Sequence, residues 1–156
     1  MYVIGIDFGS LSGRGVLADA ATGREIASVS MDYPHAVLDR ALPCGVPLPA
    51  DWALQDPQDY LDVLFYILST LAQAADPAQI AGIGLDCTSS TVLPVDAQGV
   101  PLCFDARFRR VPHAYMMMWK HHAAQGQARR MTELARRRGE PWLPLYGGMV
   151  NAEWFF

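Results

Sequence analysis

Tyr2-Val3-Ile4-Gly5-Ile6-Asp7-Phe8-Gly9-Ser10-Leu11-Ser12-Gly13-Arg14-Gly15-Val16-Leu17-Ala18-Asp19-Ala20 is the stretch whose reading decides the fold. Tyr2 to Asp7 is a short apolar run that suits a buried strand. Phe8 to Gly13 reads as a Gly/Ser turn, and Arg14 to Ala20 as a second strand. Past a further turn at Ala21-Thr22-Gly23-Arg24, the residues Ala27, Val29, Met31 and Tyr33 alternate with Ser28, Ser30 and Asp32. A period of two marks a strand with one buried face. Three strands in a row joined by tight turns predict an antiparallel meander.

The turn carries the first candidate chemistry, in Asp7-Phe8-Gly9-Ser10-Leu11-Ser12-Gly13-Arg14. Glycines let backbone N–H groups come close to an anion, and serine hydroxyls add donors. Asp7, at a strand end, is placed to hold Mg²⁺ directly or through water. Arg14 opens the second strand and can return across the hairpin to pair with phosphate oxygens. The same residues serve an ordinary tight hairpin equally well, so the segment by itself does not choose. It is not a P-loop, which needs Gly-Lys-Ser/Thr and a helix directly after it.

Pro34 to Ala50 carries four prolines and no periodicity, and reads as a loop. At Asp56-Pro57 a helix starts, with Asp56 as N-cap, Pro57 at the first position and Asp59 near the positive end of the dipole. Tyr60, Leu61, Leu64, Leu68, Leu71 and Ala75 recur at helical spacing. Ile80 to Asp86 is a second candidate buried strand, parallel to the first if the helix is a crossover. Thr91 to Val95 and Val100 to Cys103 flank Asp96-Ala97-Gln98-Gly99, a hairpin signal. Two more helices are predicted, over about 114–124 and about 127–138. In the latter, Ala128, Met131, Leu134 and Ala135 face inward and Gly139 closes the end.

The bulk numbers exclude more than they assign. A length of 156 residues suits one domain with a real core, and the formal charge of −4 argues against a duplex-binding protein. A local nest of N–H groups can still bind nucleotide. Met1 runs directly into a strand pattern without a basic-then-apolar leader, and no apolar run is long enough to span a bilayer. Cys44, Cys87 and Cys103 are odd in number and lack metal-ligand spacing. These features lead to an expectation of reduced thiols in a cytoplasmic protein. The chain ends on Asn151-Ala152-Glu153-Trp154-Phe155-Phe156, which reads as an N-cap and a first helical turn. The expectation is therefore a truncated chain.

Gly84-Leu85-Asp86-Cys87-Thr88-Ser89-Ser90-Thr91 takes a strand into a run of hydroxyl residues, at the kind of strand end where open α/β sheets bind ligands. A solvent-facing loop is the competing reading. Met118-Trp119-Lys120-His121-His122-Ala123-Ala124-Gln125 is the third candidate. On the predicted helix His121 and His122 point about 100° apart and do not grip one metal together. Met116, Met117 and Met118 read as packing. Arg129, Arg130, Arg136, Arg137 and Arg138 read as a solvated face interrupted by Glu133.

The strand, the Gly/Ser hairpin closing on arginine, the meander and the helix-strand crossover resemble the first half of the actin-like ATPase domain of sugar kinases. This is an α/β, ribonuclease H-like fold. Asp7, Gly9, Ser10, Ser12 and Arg14 match the hairpin of the carbohydrate kinases that include glycerol kinase and xylulokinase. Leu11 and Gly13 stand where glycerol kinase has hydroxyl residues. Asp86, Thr88, Ser89 and Thr91 match an Asp-x-Thr-Ser/Ala-x-Thr pattern of ribulokinases, where xylulokinase has Gln-Met-His-Gly. The run Trp119 to Gln125 is similar to ribulokinases in particular. So are the segments Trp52 to Pro57, Tyr146 to Met149 and Glu153 to Phe155.

The resemblance implies that residues 1–156 are the amino-terminal part of the first, sugar-binding domain, with the second domain absent. It implies MgATP and L-ribulose or a similar ketopentose as reactants, a place in arabinose catabolism, and transfer of the γ-phosphoryl to the 5-hydroxyl. Gly9, Ser10, Ser12 and Arg14 would grip phosphate, Asp7 the metal, and Ser89, Ser90, Trp119 and Lys120 the sugar. The family's catalytic base lies beyond Phe156, so no catalytic residue is expected within the chain, which would be inactive by itself. No nucleic-acid or membrane partner is implied, and an oligomer of identical chains stays open. A related polyol or ketose kinase and a non-catalytic nucleotide-binding module are the alternatives.

Overall fold

The computed structural model describes residues 1–152. In chain order the strands and α-helices are β1 (Tyr2–Phe8), β2 (Ser12–Asp19), β3 (Glu25–Asp32), β4 (Leu54–Gln55), α1 (Pro57–Leu71), β5 (Ile80–Cys87), β6 (Met116–Met117) and α2 (Gln125–Arg138). The expected helical turn after Asn151 lies largely outside the described residues. The chain divides into two compact units. One comprises Met1–Val37 and Asp56–Ser89; the other comprises Leu38–Gln55 and the chain from Ser90 onward.

In the first unit the sheet order is β3-β2-β1-β5. β1 and β2 pair antiparallel, as do β2 and β3, while β5 runs parallel to β1 with α1 in the connection. α1 starts where the Asp56 carboxylate accepts the N–H of Gln58 at 2.9 Å, ahead of Pro57. Val63, Ile67 and Leu71, four residues apart, form its buried stripe against Ile4, Ile6, Phe8 and Leu17. Each such side chain contributes about 1.5–3 kcal/mol when fully buried.

The stripe is not centred where the spacing placed it, since Leu61 faces outward. α1 is apolar nearly all round, so periodicity alone left its rotation open. Gly13 and Gly15 on β2 close the choice. A Cβ on them would lie 2.4 Å from Val63 Cγ1 and 2.2 Å from Ile67 Cγ2, so the helix seats its β-branched residues on bare backbone. α1 also stops at Leu71 rather than near Ala75, because the N–H of Ala74 turns back to the Leu71 carbonyl in a tighter turn.

β5 differs from its expected burial. Ile83 is 50% and Leu85 62% exposed. α1 packs on β2 and β3, and β5 lies at the opposite edge of the sheet. The strand pattern was right; its cover is not found in this unit.

In the second unit β4 pairs antiparallel with β6. Leu38, Leu42, Leu54, Cys103, Ala114, Tyr115 and Met117 form one core, and Ala128, Ala135, Leu143, Val150 and Ala152 another. Two expectations are corrected here. The turn at Asp96 forms, with its carboxylate accepting from Gln98 N and Val100 N, but its flanks pair only at Val95 and Pro101. Pro94 and Pro101 have no N–H to give to a ladder, and Val92 pairs with Met117 instead. The helix expected over about 114–124 is replaced by a short 3-10 turn at Pro112–Ala114, then β6. Met116, Met117 and Met118 are all buried, which one side of a helix cannot achieve for consecutive residues. Met117 N donates to Val92 O and Met118 N to Ala53 O.

α2 buries Ala128, Thr132 and Ala135, while Met131 and Leu134 face out, against expectation. Thr132 takes the inward place because its hydroxyl donates to Ala128 O and accepts from Val150 N, both at 2.9 Å. Gly139 ends the helix at φ +65°, as its C′ position requires. The α2 arginines are exposed. Among the described residues, no helix is long and apolar enough to cross a membrane.

The loop after β3 is pinned to the first turn of α1. Buried Asp59 accepts the backbone N–H of His35 at 3.0 Å and faces His35 Nδ1 at 2.7 Å. The hydrogen bond to Asp59 raises the His35 pKa above its ordinary value, with Asp56 and Asp62 adding to the effect and burial opposing it. Folding therefore gains from this pair below about pH 6.5, the unfolded histidine value, and loses the gain as pH rises through the raised folded value. Thermal unfolding between about pH 5.5 and 9 is expected to show that decline, and His35→Gln to flatten it. Parallel curves for the two proteins would remove His35 as its source.

Candidate functional site

The ends of β1, β2 and β5 build a polar row on the sheet face opposite α1. Asp7 is paired in register with Arg14 on β2 and with Asp86 on β5. Directly paired residues project to the same side, so one guanidinium and two carboxylates share this face. Ile6 and Phe8, the neighbours of Asp7 in β1, are buried in the α1 core. That alternation is what turns Asp7 outward. A groove of about 500 Å³ runs along the row, lined by Gly5, Asp7, Arg14, Val16, Gly84 and Asp86 among others. Gly5 and Gly84 are paired with each other and keep its floor at backbone level.

The hairpin beside the row is tight. Gly9 N donates to Ser12 O at 2.9 Å, and a Cβ on Gly9 would lie 3.2 Å from that same oxygen. Gly9, Ser10, Ser12, Arg14 and Asp7 are thus brought together. Gly13 serves the α1 packing instead. Asp86 Oδ1 accepts the N–H of Cys87 at 2.9 Å. Burial, then the charges of Asp86 and Asp7, push the Cys87 thiol pKa up.

Asp86 is the residue that sequence reasoning left without a role. A signal for it was present: Ile4-Gly5-Ile6-Asp7 and Ile83-Gly84-Leu85-Asp86 are near-copies, and they lie side by side in register. Two adjacent carboxylates repel unless a cation offsets them, and oxygen donors suit a hard divalent ion. Among the described residues no cluster of three or more metal-ligating side chains occurs, so such an ion would take its remaining ligands from water or phosphate.

The chain is 49% identical over 156 residues to the ribulokinase of Geobacillus thermodenitrificans and 50% identical over 160 residues to that of Mycolicibacterium smegmatis. These matches cover 98% and 99% of the chain. Along nearly its whole length the chain is similar to these ribulokinases. It spans 28% of the length of either relative. No family model matches it.

Solved sugar kinases share its fold. A ligand-bound xylulose kinase from Lactobacillus acidophilus matches 88% of the chain, at 24% identity and a TM-score of 0.63. The Plasmodium falciparum glycerol kinase with ADP matches 85%, at 13% identity and a TM-score of 0.59. The matched portions are 23% of each of those chains.

The remaining ribulokinase-like segments are divided between the two units. β5 continues into Thr88, whose N–H donates to Phe8 O at 3.2 Å. Ser89 follows, exposed, at the end of the first unit. Ser90, in the left-handed region at φ +56°, opens the next segment of the second unit. Trp119 and Lys120 also belong to that unit, exposed in the irregular segment after β6.

The ribulokinase-like histidine pair is not on a helix, which corrects the geometry expected of it. His121 is buried and its Nδ1 accepts the N–H of Ala53 at 3.2 Å, so the neutral ring carries its proton on Nε2. Burial lowers its pKa. The rings of His121 and His113 each meet Trp52 edge-on at 4.8 Å. They line a cavity of about 410 Å³ with Met117, Ala123, Ala124 and Gln127; neither Trp119 nor Lys120 is in its lining.

Proposed function

We propose that this chain is the first part of a ribulokinase that transfers the γ-phosphoryl of ATP to the 5-hydroxyl of L-ribulose. The observation that carries the reading is the in-register row of Arg14, Asp7 and Asp86 beside the Gly9–Ser12 hairpin, in a chain about half identical to named ribulokinases. Phosphoryl transfer asks mainly for positioning and charge compensation. Gly9, Ser10, Ser12 and Arg14 hold phosphate oxygens through N–H, hydroxyl and guanidinium donors. Asp7 and Asp86 hold Mg²⁺, directly or through water. The ion, when bound with ATP, offsets charge on the phosphate oxygens.

Ser89, Ser90, Trp119 and Lys120 contribute to the sugar side. The base that takes the hydroxyl proton, and the second phosphate loop, come from the rest of the longer enzyme. Residues 1–156 by themselves are then inactive, and the full-length enzyme works in the cytoplasm. A coupled ADP-release assay of the full-length protein on ketopentoses, ketohexoses, glycerol and ribitol tests the substrate. L-Ribulose is expected to give the fastest turnover. Faster turnover on glycerol or on a ketohexose than on any ketopentose would sink the assignment.

A further inference from the structure

Two carbonyls of the Gly9–Ser12 hairpin accept from one residue. The Tyr33 hydroxyl donates to Gly9 O at 3.0 Å, and the Tyr33 backbone N–H donates to Leu11 O at 2.9 Å. Tyr33 follows β3 directly, and β3 pairs with β2 as far as Ser12 opposite Asp32. The meander therefore delivers Tyr33 beneath the turn that connects β1 to β2. Its ring is buried, 3% exposed, and stacks on Tyr60 of α1 at 4.8 Å; Tyr60 stacks in turn on Phe8 at 5.3 Å. Burial, then the neighbouring Tyr60, drives the Tyr33 pKa well above its ordinary value, so the hydroxyl keeps its proton as a donor.

A trans peptide is planar, with its C=O and N–H pointing in opposite directions, and no cis bond occurs among the described residues. The Gly9 carbonyl turned onto Tyr33 sends the N–H of Ser10 the other way. The Leu11 carbonyl turned onto Tyr33 does the same for the N–H of Ser12. In each of these two peptides the oxygen that would repel an anion is held by Tyr33, and the N–H points away from that oxygen.

We infer that Tyr33 is a positioning residue for nucleotide phosphate, acting through the hairpin without touching the ligand. The inference rests on the phosphate-gripping role proposed above for Gly9–Ser12. It is specific about the hydroxyl: the ring and the backbone N–H persist in Tyr33→Phe, and what is lost is the hold on Gly9 O together with the hydroxyl's hydrogen bond with Tyr60. That peptide can then rotate, so the Ser10 amide is no longer preset for an anion.

The test uses full-length wild type and Tyr33→Phe, with ATP and ADP binding measured by calorimetry, steady-state kinetics and thermal unfolding. Expected are a fall of about 3–10-fold in affinity for both nucleotides, matching the loss of one ordinary hydrogen bond, and a matching rise in the KM for ATP. The KM for the sugar and the unfolding temperature in the absence of nucleotide should stay close to wild type. Unchanged nucleotide affinity in Tyr33→Phe, beside a wild type that binds ATP, overturns the role of Tyr33 and leaves the kinase reading standing. Equal losses for nucleotide and sugar, with a lowered unfolding temperature, make the hydroxyl a structural one and also overturn it. A wild type that binds neither nucleotide removes the phosphate reading itself, and this inference with it.

Discussion

Asp7→Asn in the full-length protein is expected to lower kcat by about 10²–10³-fold, the scale seen when one preorganised group facing transition-state charge is removed. The change keeps size and shape and deletes the negative charge proposed above to hold the cation. Asp7 is exposed on the open face and contributes nothing to the α1 core, so the unfolding temperature should hardly move. Arg14→Ala is the contrasting arm: the donor proposed to meet phosphate oxygens is lost, and the KM for ATP should rise more than kcat falls. Steady-state kinetics at saturating sugar, with circular dichroism melts beside them, decide both. Wild-type kinetics in the two variants would reduce the hairpin to a structural turn.

The second large effect concerns stability, and it tests the packing that places the row. Gly15→Ala puts a methyl group where Ile67 Cγ2 already lies 2.2 Å away and Leu71 Cδ1 3.1 Å away. Overpacking of this kind costs about 1–3 kcal/mol. Ile67→Ala leaves a cavity and costs about 2–5 kcal/mol. Because the two side chains claim the same space, the double variant should lose less than the sum of the single losses. Denaturation of the three proteins under one set of conditions measures it. Additivity to within about 0.5 kcal/mol, as for distant sites, would show that α1 does not seat on Gly15 in this way.

These two predictions mark how far the residues could be read without coordinates. The β1–β2 turn was legible because its glycines and serines punctuate two short apolar runs. Asp56 and Pro57 announced the start of α1 by local chemistry. Local signals of this kind reach only a few residues along the chain. The rotation of α1 escaped them: its apolar residues go nearly all round, and the choice was made by Gly13 and Gly15, more than forty residues earlier in the chain. The segment 114–124 escaped for the same reason. A helix was expected there, but pairing with Leu54, Gln55 and Val92 captured Met116 and Met117 as strand.

The candidate site divides along the same line. Sequence by itself determined that Asp7, Gly9, Ser10, Ser12 and Arg14 form one hairpin, because a tight turn keeps sequence neighbours together in space. It also carried the likeness to carbohydrate kinases through those residues, and to ribulokinases through Asp86 to Thr91 and Trp119 to Gln125. Only the tertiary structure decided that Asp86, from a strand 79 residues further on, stands beside Asp7. Only it showed that Tyr33 lies beneath the hairpin and holds two of its carbonyls. Both depend on strand register, which is set by hydrogen-bonded pairing across the sheet. The order of residues along one strand does not contain that information.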